Sequence, residues 1–164
     1  RKRDFTYPTT NAKDKVDFPT TGGSAKFITF LENELQPLIN KQYRTTPERT
    51  IIGQSLGALL ATEILWKKPE LFSNYVIISP SLWWDDNSLL PLKRVALENP
   101  KKVFIAVGEE GPVMESGAMA LAAQLKRDKQ LQTSFKYLED LDHSNTLHIA
   151  VYEAFKALYK KEKE

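Results

Sequence analysis

The sequence contains no cysteine. This excludes disulfides, thiolate nucleophiles and cysteine-ligated zinc, and it leaves the compartment, bacterial periplasm or cytoplasm, unassigned because cysteine-free proteins occur in both. It has no apolar run of membrane-spanning length and no signal-peptide pattern, so no membrane partner is expected. An excess of one charge is also missing. Twenty-three Lys and Arg stand against 21 Asp and Glu, and the basic residues are scattered or sit in tails such as Lys160-Lys161-Glu162-Lys163. Without a basic stripe a nucleic-acid partner is not expected, and a small-molecule or acyl substrate is. Histidine is scarce: the chain has two, His143 and His148, at a spacing that matches no zinc motif. No metal and no organic cofactor is implied. There is no internal repeat, and oligomeric state is not legible.

What is present is enough apolar sequence for one core. At 164 residues and 41% hydrophobic, the chain suits a single α/β domain over 1–164. Its organising stretch is Thr50-Ile51-Ile52-Gly53-Gln54-Ser55-Leu56-Gly57-Ala58-Leu59-Leu60, where a short β-branched strand meets Gly-x-Ser-x-Gly and passes into an apolar helix. That is the pattern of a nucleophile elbow, a turn so tight that the serine oxygen is held clear of the sheet. Side chains at Gly53 or Gly57 are expected to collide with the neighbouring strand or helix. The backbone N–H of Leu56, in the first helical turn, lacks an intrahelical partner and is the candidate oxyanion donor.

Residues 1–21 are polar and interrupted by Pro8 and Pro19, which predicts an extended or partly disordered lead-in. Apolar spacing predicts helices from Ser24 to about Tyr43 with a bend at Pro37, from Leu56 to Lys67, from Leu89 to Asn99 with an interruption near Pro91, from Met114 to Lys129 and from Asn145 to Lys161. Strands are predicted at Thr50–Ile52, Asn74–Ser79, Val103–Val107 and Thr133–Leu138. Such alternation implies right-handed crossovers and a parallel sheet of about four strands flanked by helices.

Sites on parallel sheets form where the carboxyl ends of the strands meet solvent. There the sequence places Ser55, the loop from Ser79 to Trp84, Glu109 and Glu110, and the loop from Glu139 to His143. In chain order these supply serine, acid and histidine. A serine hydroxyl needs a base with a pKa near neutrality, and that base works best when a carboxylate fixes its tautomer. His143, in a loop, is the candidate base, while His148 lies inside the last helix and is expected to pack or to support the site residues from behind. Glu110 is preferred as the acid over Glu109, because the first residue after Gly108 still follows the strand and the next turns inward. Gln54, Trp83 and Trp84 are the candidate substrate-binding residues. Of the two tryptophans, at least one is expected to wall the pocket, the other reading being that both cap the sheet.

With these residues assembled, the chain resembles the esterase family of α/β-hydrolases, which includes siderophore esterases, S-formylglutathione hydrolases, feruloyl esterases and antigen 85 mycolyltransferases. It is most similar to the bacterial siderophore-esterase-like branch. The resemblance rests on Arg1-Lys2-Arg3-Asp4-Phe5-Thr6, Gly22-Gly23-Ser24-Ala25, Tyr43-Arg44-Thr45, Gly53-Gln54-Ser55-Leu56-Gly57, Ile78-Ser79-Pro80-Ser81-Leu82-Trp83-Trp84-Asp85 and His143-Ser144. It implies a serine hydrolase cleaving small-molecule carboxylic esters through an acyl-enzyme. It also implies that early strands, with the loop resembling the source of a second oxyanion donor, precede Arg1, so the chain reads as the C-terminal part of the fold. Some members of the branch work with a serine–histidine pair, which leaves a dyad open beside Glu109 and Glu110. The competing reading is a non-catalytic binding or scaffold module, or an inactive fragment, that keeps the fold.

Overall fold

The computed structural model describes residues 1–159. Strands β1 (Thr50–Gln54), β2 (Asn74–Ile78), β3 (Lys101–Gly108) and β4 (Leu131–Leu138) form one parallel sheet in the order β1-β2-β3-β4. The register aligns Gln54 with Ile78 and Ile78 with Ala106. Ser55, Ser79 and the turn after β3 therefore leave the sheet side by side at its carboxyl end.

Helices cover both faces. Tyr75, Ile77, Val103, Ile105 and Val107 point to the face covered by α5 (Leu56–Lys67) and α6 (Pro112–Leu125), and Val76, Ile78, Phe104 and Ala106 to the face covered by α7 (Thr146–Leu158). Because β2 is buried on both sides, it reads as a continuous apolar run rather than an alternating one. In α5 every residue from Ala58 to Trp66 is buried, as expected of a helix apolar nearly all round. Thr62 and Glu63 are the polar exceptions: Thr62 Oγ1 donates to Ala58 O at 2.7 Å, and Glu63, whose side chain is 1% exposed, pairs with Lys67 at 2.6 Å.

The expected long helix before β1 is built in three parts. A five-residue π turn, Leu31–Leu35, joins α3 (Ser24–Phe30) to α4 (Gln36–Gln42). It lies directly before Pro37, which has no N–H to donate and whose ring crowds the carbonyl one turn earlier. Lys160 and Lys161, the expected end of the last helix, lie outside the described residues.

Two expectations are corrected. The predicted helix over Leu89–Asn99 does not form. Beyond a single turn bond, Leu92 N to Leu89 O at 3.2 Å, that segment is tied to the end of α5, with Val95 N donating to Trp66 O at 2.9 Å and Trp66 Nε1 to Leu92 O at 3.1 Å. The lead-in is likewise ordered, with helices α1 (Lys2–Phe5) and α2 (Ala12–Asp17). Asn11 caps α2 by accepting from Lys13 N and Asp14 N. The buried Asp85 carboxylate accepts from Thr9 Oγ1 at 2.8 Å, Thr10 N at 2.6 Å, Asn11 N at 3.1 Å and Ser88 Oγ at 2.7 Å, while Asp14 Oδ2 accepts from Asp85 N at 2.9 Å.

This latch titrates. Burial pushes the Asp85 carboxyl up, but the hydrogen bonds from Ser88, Thr9 and Thr10 outweigh it and hold the group at about 2, below its ordinary 3.8. The folded state thus favours the ionised form. Its contribution, about 2 kcal/mol, is complete above the unfolded value and is lost as pH falls through the carboxylate range toward about 2. Urea unfolding at pH 5 and pH 2.5 is expected to show wild type losing about 1.5 kcal/mol more than Asp85→Asn. Equal losses would remove Asp85 as the source.

Candidate active site

The elbow is strained as the sequence pattern predicts. Ser55 sits at φ 59°, ψ −122° between β1 and α5, a conformation that costs a non-glycine residue about 1–3 kcal/mol unless its surroundings impose it. They do so through Ser55 N donating to Ile78 O at 3.1 Å and Ser55 O accepting from Ala58 N and Leu59 N, both at 3.0 Å. Leu56 is the first residue of α5, so its N–H has no carbonyl one turn earlier in the helix to bond. The two elbow glycines differ. A Cβ on Gly53 would overlap the Gly57 carbonyl and stand 2.7 Å from Ala58 N, whereas a Cβ on Gly57 would meet only Phe5 Cε2 at 4.0 Å. The expected collision therefore holds for Gly53 and is corrected for Gly57, whose outward side faces an open groove along β1.

Ser55, Glu109, Glu110, His143 and Trp83 line one cleft of about 500 Å³. The larger groove, about 980 Å³, runs along the free side of β1 and does not include Ser55. Within the cleft Glu110 Oε2 lies 2.5 Å from His143 Nδ1, and the Glu110 side chain is only 2% exposed against 48% for the imidazole. Glu110 Oε1 accepts from Ser79 Oγ and from Gly108 N at 3.2 Å. Glu109 is exposed and bonds Leu141 O through its backbone N–H at 2.6 Å, so Glu110 is the carboxylate that faces the ring.

The histidine loop is fixed at His143 and at its neighbours. Asp142 caps it, and hydrogen bonds from the Ser144 hydroxyl and backbone N–H hold its carboxyl below the ordinary carboxylate range. Gln54 Nε2 donates to His143 O at 2.8 Å. Gln54, a candidate for substrate binding, thus spends its amide on the loop and lines the groove along β1 rather than the cleft. His148 is exposed on α7, which corrects its expected packing role.

The tryptophans divide the two readings between them. Trp83 lines the cleft beside Met114 and tilts against Phe18 with ring centroids 6.0 Å apart. Trp84 is 1% exposed, and its Nε1 donates to Tyr7 O at 2.9 Å. Trp84→Ala is expected to cost about 3–5 kcal/mol in chemical denaturation. Trp83→Ala is expected to alter the ratio of aryl- to alkyl-ester turnover with a loss below about 1.5 kcal/mol; the reverse pattern would exchange their roles.

Sequence reasoning passed over two residues. Ser81 Oγ lies 3.3 Å from Ser55 Oγ and is the hydroxyl's hydrogen-bond partner in this resting arrangement, and buried Ser79 bonds Glu110. The signal available was position, since both follow the carboxyl end of the strand between the serine and the acid.

A family model described as Putative esterase matches residues 2–158. Among characterised relatives, the ferri-bacillibactin esterase BesA of Bacillus subtilis is 38% identical over 96 residues, covering 55% of this chain and 33% of its own length. The siderophore triacetylfusarinine C esterase of Aspergillus fumigatus is 29% identical over 103 residues, 62% of this chain and 34% of its own. The chain therefore aligns with about a third of each of these relatives. Among solved structures, the BES protein of Bacillus cereus superposes with a TM-score of 0.83 at 29% identity, covering 94% of this chain and 62% of that one. An IroE-like serine hydrolase of Shewanella oneidensis superposes with a TM-score of 0.81 at 26% identity, covering 98% and 57%.

Proposed function

The chain belongs to the esterase family that its residues 2–158 match, and from that premise we propose that it is a serine carboxylic-ester hydrolase with Ser55 as nucleophile, His143 as base and Glu110 as orienting acid. The observation that carries this reading is the 2.5 Å approach of buried Glu110 to His143 Nδ1 in the cleft that also holds the strained Ser55. With Glu110 ionised, Nδ1–H donates to it, which leaves the Nε2 lone pair free to accept a proton. Ser55 Oγ swings from Ser81 toward that nitrogen, attacks the ester carbonyl carbon and gives its proton to Nε2. Leu56 N–H donates to the oxyanion as it forms. His143 returns the proton to the departing alcohol, and water then cleaves the acyl-enzyme by the same steps in reverse order.

Small-molecule esters of the siderophore kind are the substrates we propose, supported by the names of the relatives. The cleft, about 500 Å³ and open to solvent, suits an acyl group entering beside Trp83. A fluorophosphonate probe tests the chemistry apart from the substrate. Labelling confined to Ser55, and lost in His143→Ala, is expected; a folded protein that takes no label would leave the non-catalytic binding module as the better reading.

A further inference from the structure

The nucleophile and the acid stand on strands that are not neighbours. Ser55 follows β1 and Glu110 follows β3, with β2 between them, so the first residue after β2 lies between the two. That residue is Ser79. Its N–H donates to Ala106 O at 2.8 Å, extending the ladder to β3 by one residue. At φ 47° the chain then turns away, and Ser79 Oγ donates to Glu110 Oε1. Ser79 is fully buried and the Glu110 side chain is 2% exposed, so water is poorly placed to take over that bond. The other donor to Oε1 is Gly108 N, at a longer 3.2 Å.

We infer that Ser79 is a positioning residue for catalysis, acting through Glu110 on the histidine. This rests on the proposed roles of Ser55, His143 and Glu110. A buried carboxylate that loses its hydroxyl donor keeps one weak donor on that oxygen, and it answers by rotating toward other donors or by taking up a proton. Either response weakens the bond that orients the imidazole. The backbone of Ser79 indicates that the hydroxyl, rather than the conformation, is what serine contributes here. A left-handed φ is one that glycine adopts without strain, and glycine would keep the turn while deleting the oxygen.

The test is Ser79→Gly in the whole chain, with Ser79→Ala alongside, assayed on a p-nitrophenyl ester together with Tm and the low-field Nδ1 proton resonance of His143. Ser79→Gly is expected to lower kcat by about ten- to a hundredfold, leave KM within about twofold and Tm within a few degrees, and shift or broaden the Nδ1 resonance. In a Glu110→Gln background the same change is expected to cost less than about twofold, because its route to the histidine is already cut. An unchanged kcat and resonance in both variants overturns the inference, as does a full loss that persists in the Glu110→Gln background. Ser55→Ala keeps the two levels apart. If it retains hydrolysis, the proposed function fails; if it abolishes hydrolysis while Ser79→Gly is silent, only the role of Ser79 fails.

Discussion

Ser55→Ala and His143→Ala are each expected to lower ester hydrolysis by about 10⁴-fold or more, and the double replacement by little beyond either. The reason is that in the proposed mechanism the two side chains perform one event. Without Ser55 there is no oxygen for His143 to deprotonate, and without His143 the hydroxyl keeps its proton and remains bonded to Ser81. In that mechanism Glu110 acts on the ring, which its carboxylate faces, rather than on substrate, so Glu110→Gln is expected to cost less than either. Glu109→Gln should cost less than about threefold, because Glu109 is exposed and makes no bond to the imidazole. The comparison requires protein of unchanged fold. Ser55 is a sound place for it, since alanine removes one oxygen from a partly exposed position. Losses that multiply in the double variant, or a His143→Ala variant within tenfold of wild type, would end the shared-mechanism reading.

That Glu110 rather than Glu109 faces the imidazole was legible because it follows from strand geometry. Gly108 is the last strand residue, and successive residues at a strand end point in opposite directions. The parallel, helix-covered sheet was legible for a related reason: β2 and β3 read as short apolar runs, and the connections from β1 to β2 and from β3 to β4 carry α5 and α6, each with its own period. Gln54 shows the limit of such reading. Its place beside the serine suggested contact with substrate, yet its amide reaches a carbonyl 89 residues later in the chain, and no local pattern announces that partner. The latch on Asp85 is hidden in the same way, joining residues 74 to 76 apart. It also reverses a local rule, because a polar, proline-interrupted lead-in folds once an outside carboxylate accepts its N–H groups. Leu89–Asn99 erred in the opposite direction. Its apolar spacing suggested a helix, but Pro91 and the bonds to Trp66 hold the backbone elsewhere.

Gly53→Ala is expected to unfold the elbow, with a stability loss above about 4 kcal/mol and no measurable hydrolysis, while Gly57→Ala should fold and turn over. In the pattern the two glycines look equivalent, and in the structure they are not. A methyl group on Gly53 would stand inside the backbone of the first turn of α5, against the Gly57 carbonyl and Ala58 N. Backbone cannot swing aside as a flexible side chain does, so β1 and α5 would have to part, and α5 is buried from Ala58 to Trp66. Losses of that size arise from a short list of causes, and overlap in a packed core is one of them. At Gly57 the same methyl would touch only the edge of the Phe5 ring at 4.0 Å. Exchanging glycine for alanine in the first turn of a helix there is expected to be neutral or to stabilise by up to about 1 kcal/mol. Gly108 sits on the acid side of the site as Gly53 sits on the serine side. A Cβ there would press on the Leu141 carbonyl and come within 2.6 Å of Thr146 Oγ1, driving the histidine loop off Glu110. Gly108→Ala is therefore expected to lose activity with a smaller loss of stability than Gly53→Ala, because a surface loop rather than a central helix must move. Urea unfolding and p-nitrophenyl ester turnover of the three variants decide the matter. A Gly53→Ala protein as stable as Gly57→Ala would show that the elbow can open without cost, and that the strain at Ser55 is not imposed by the packing of β1 on α5.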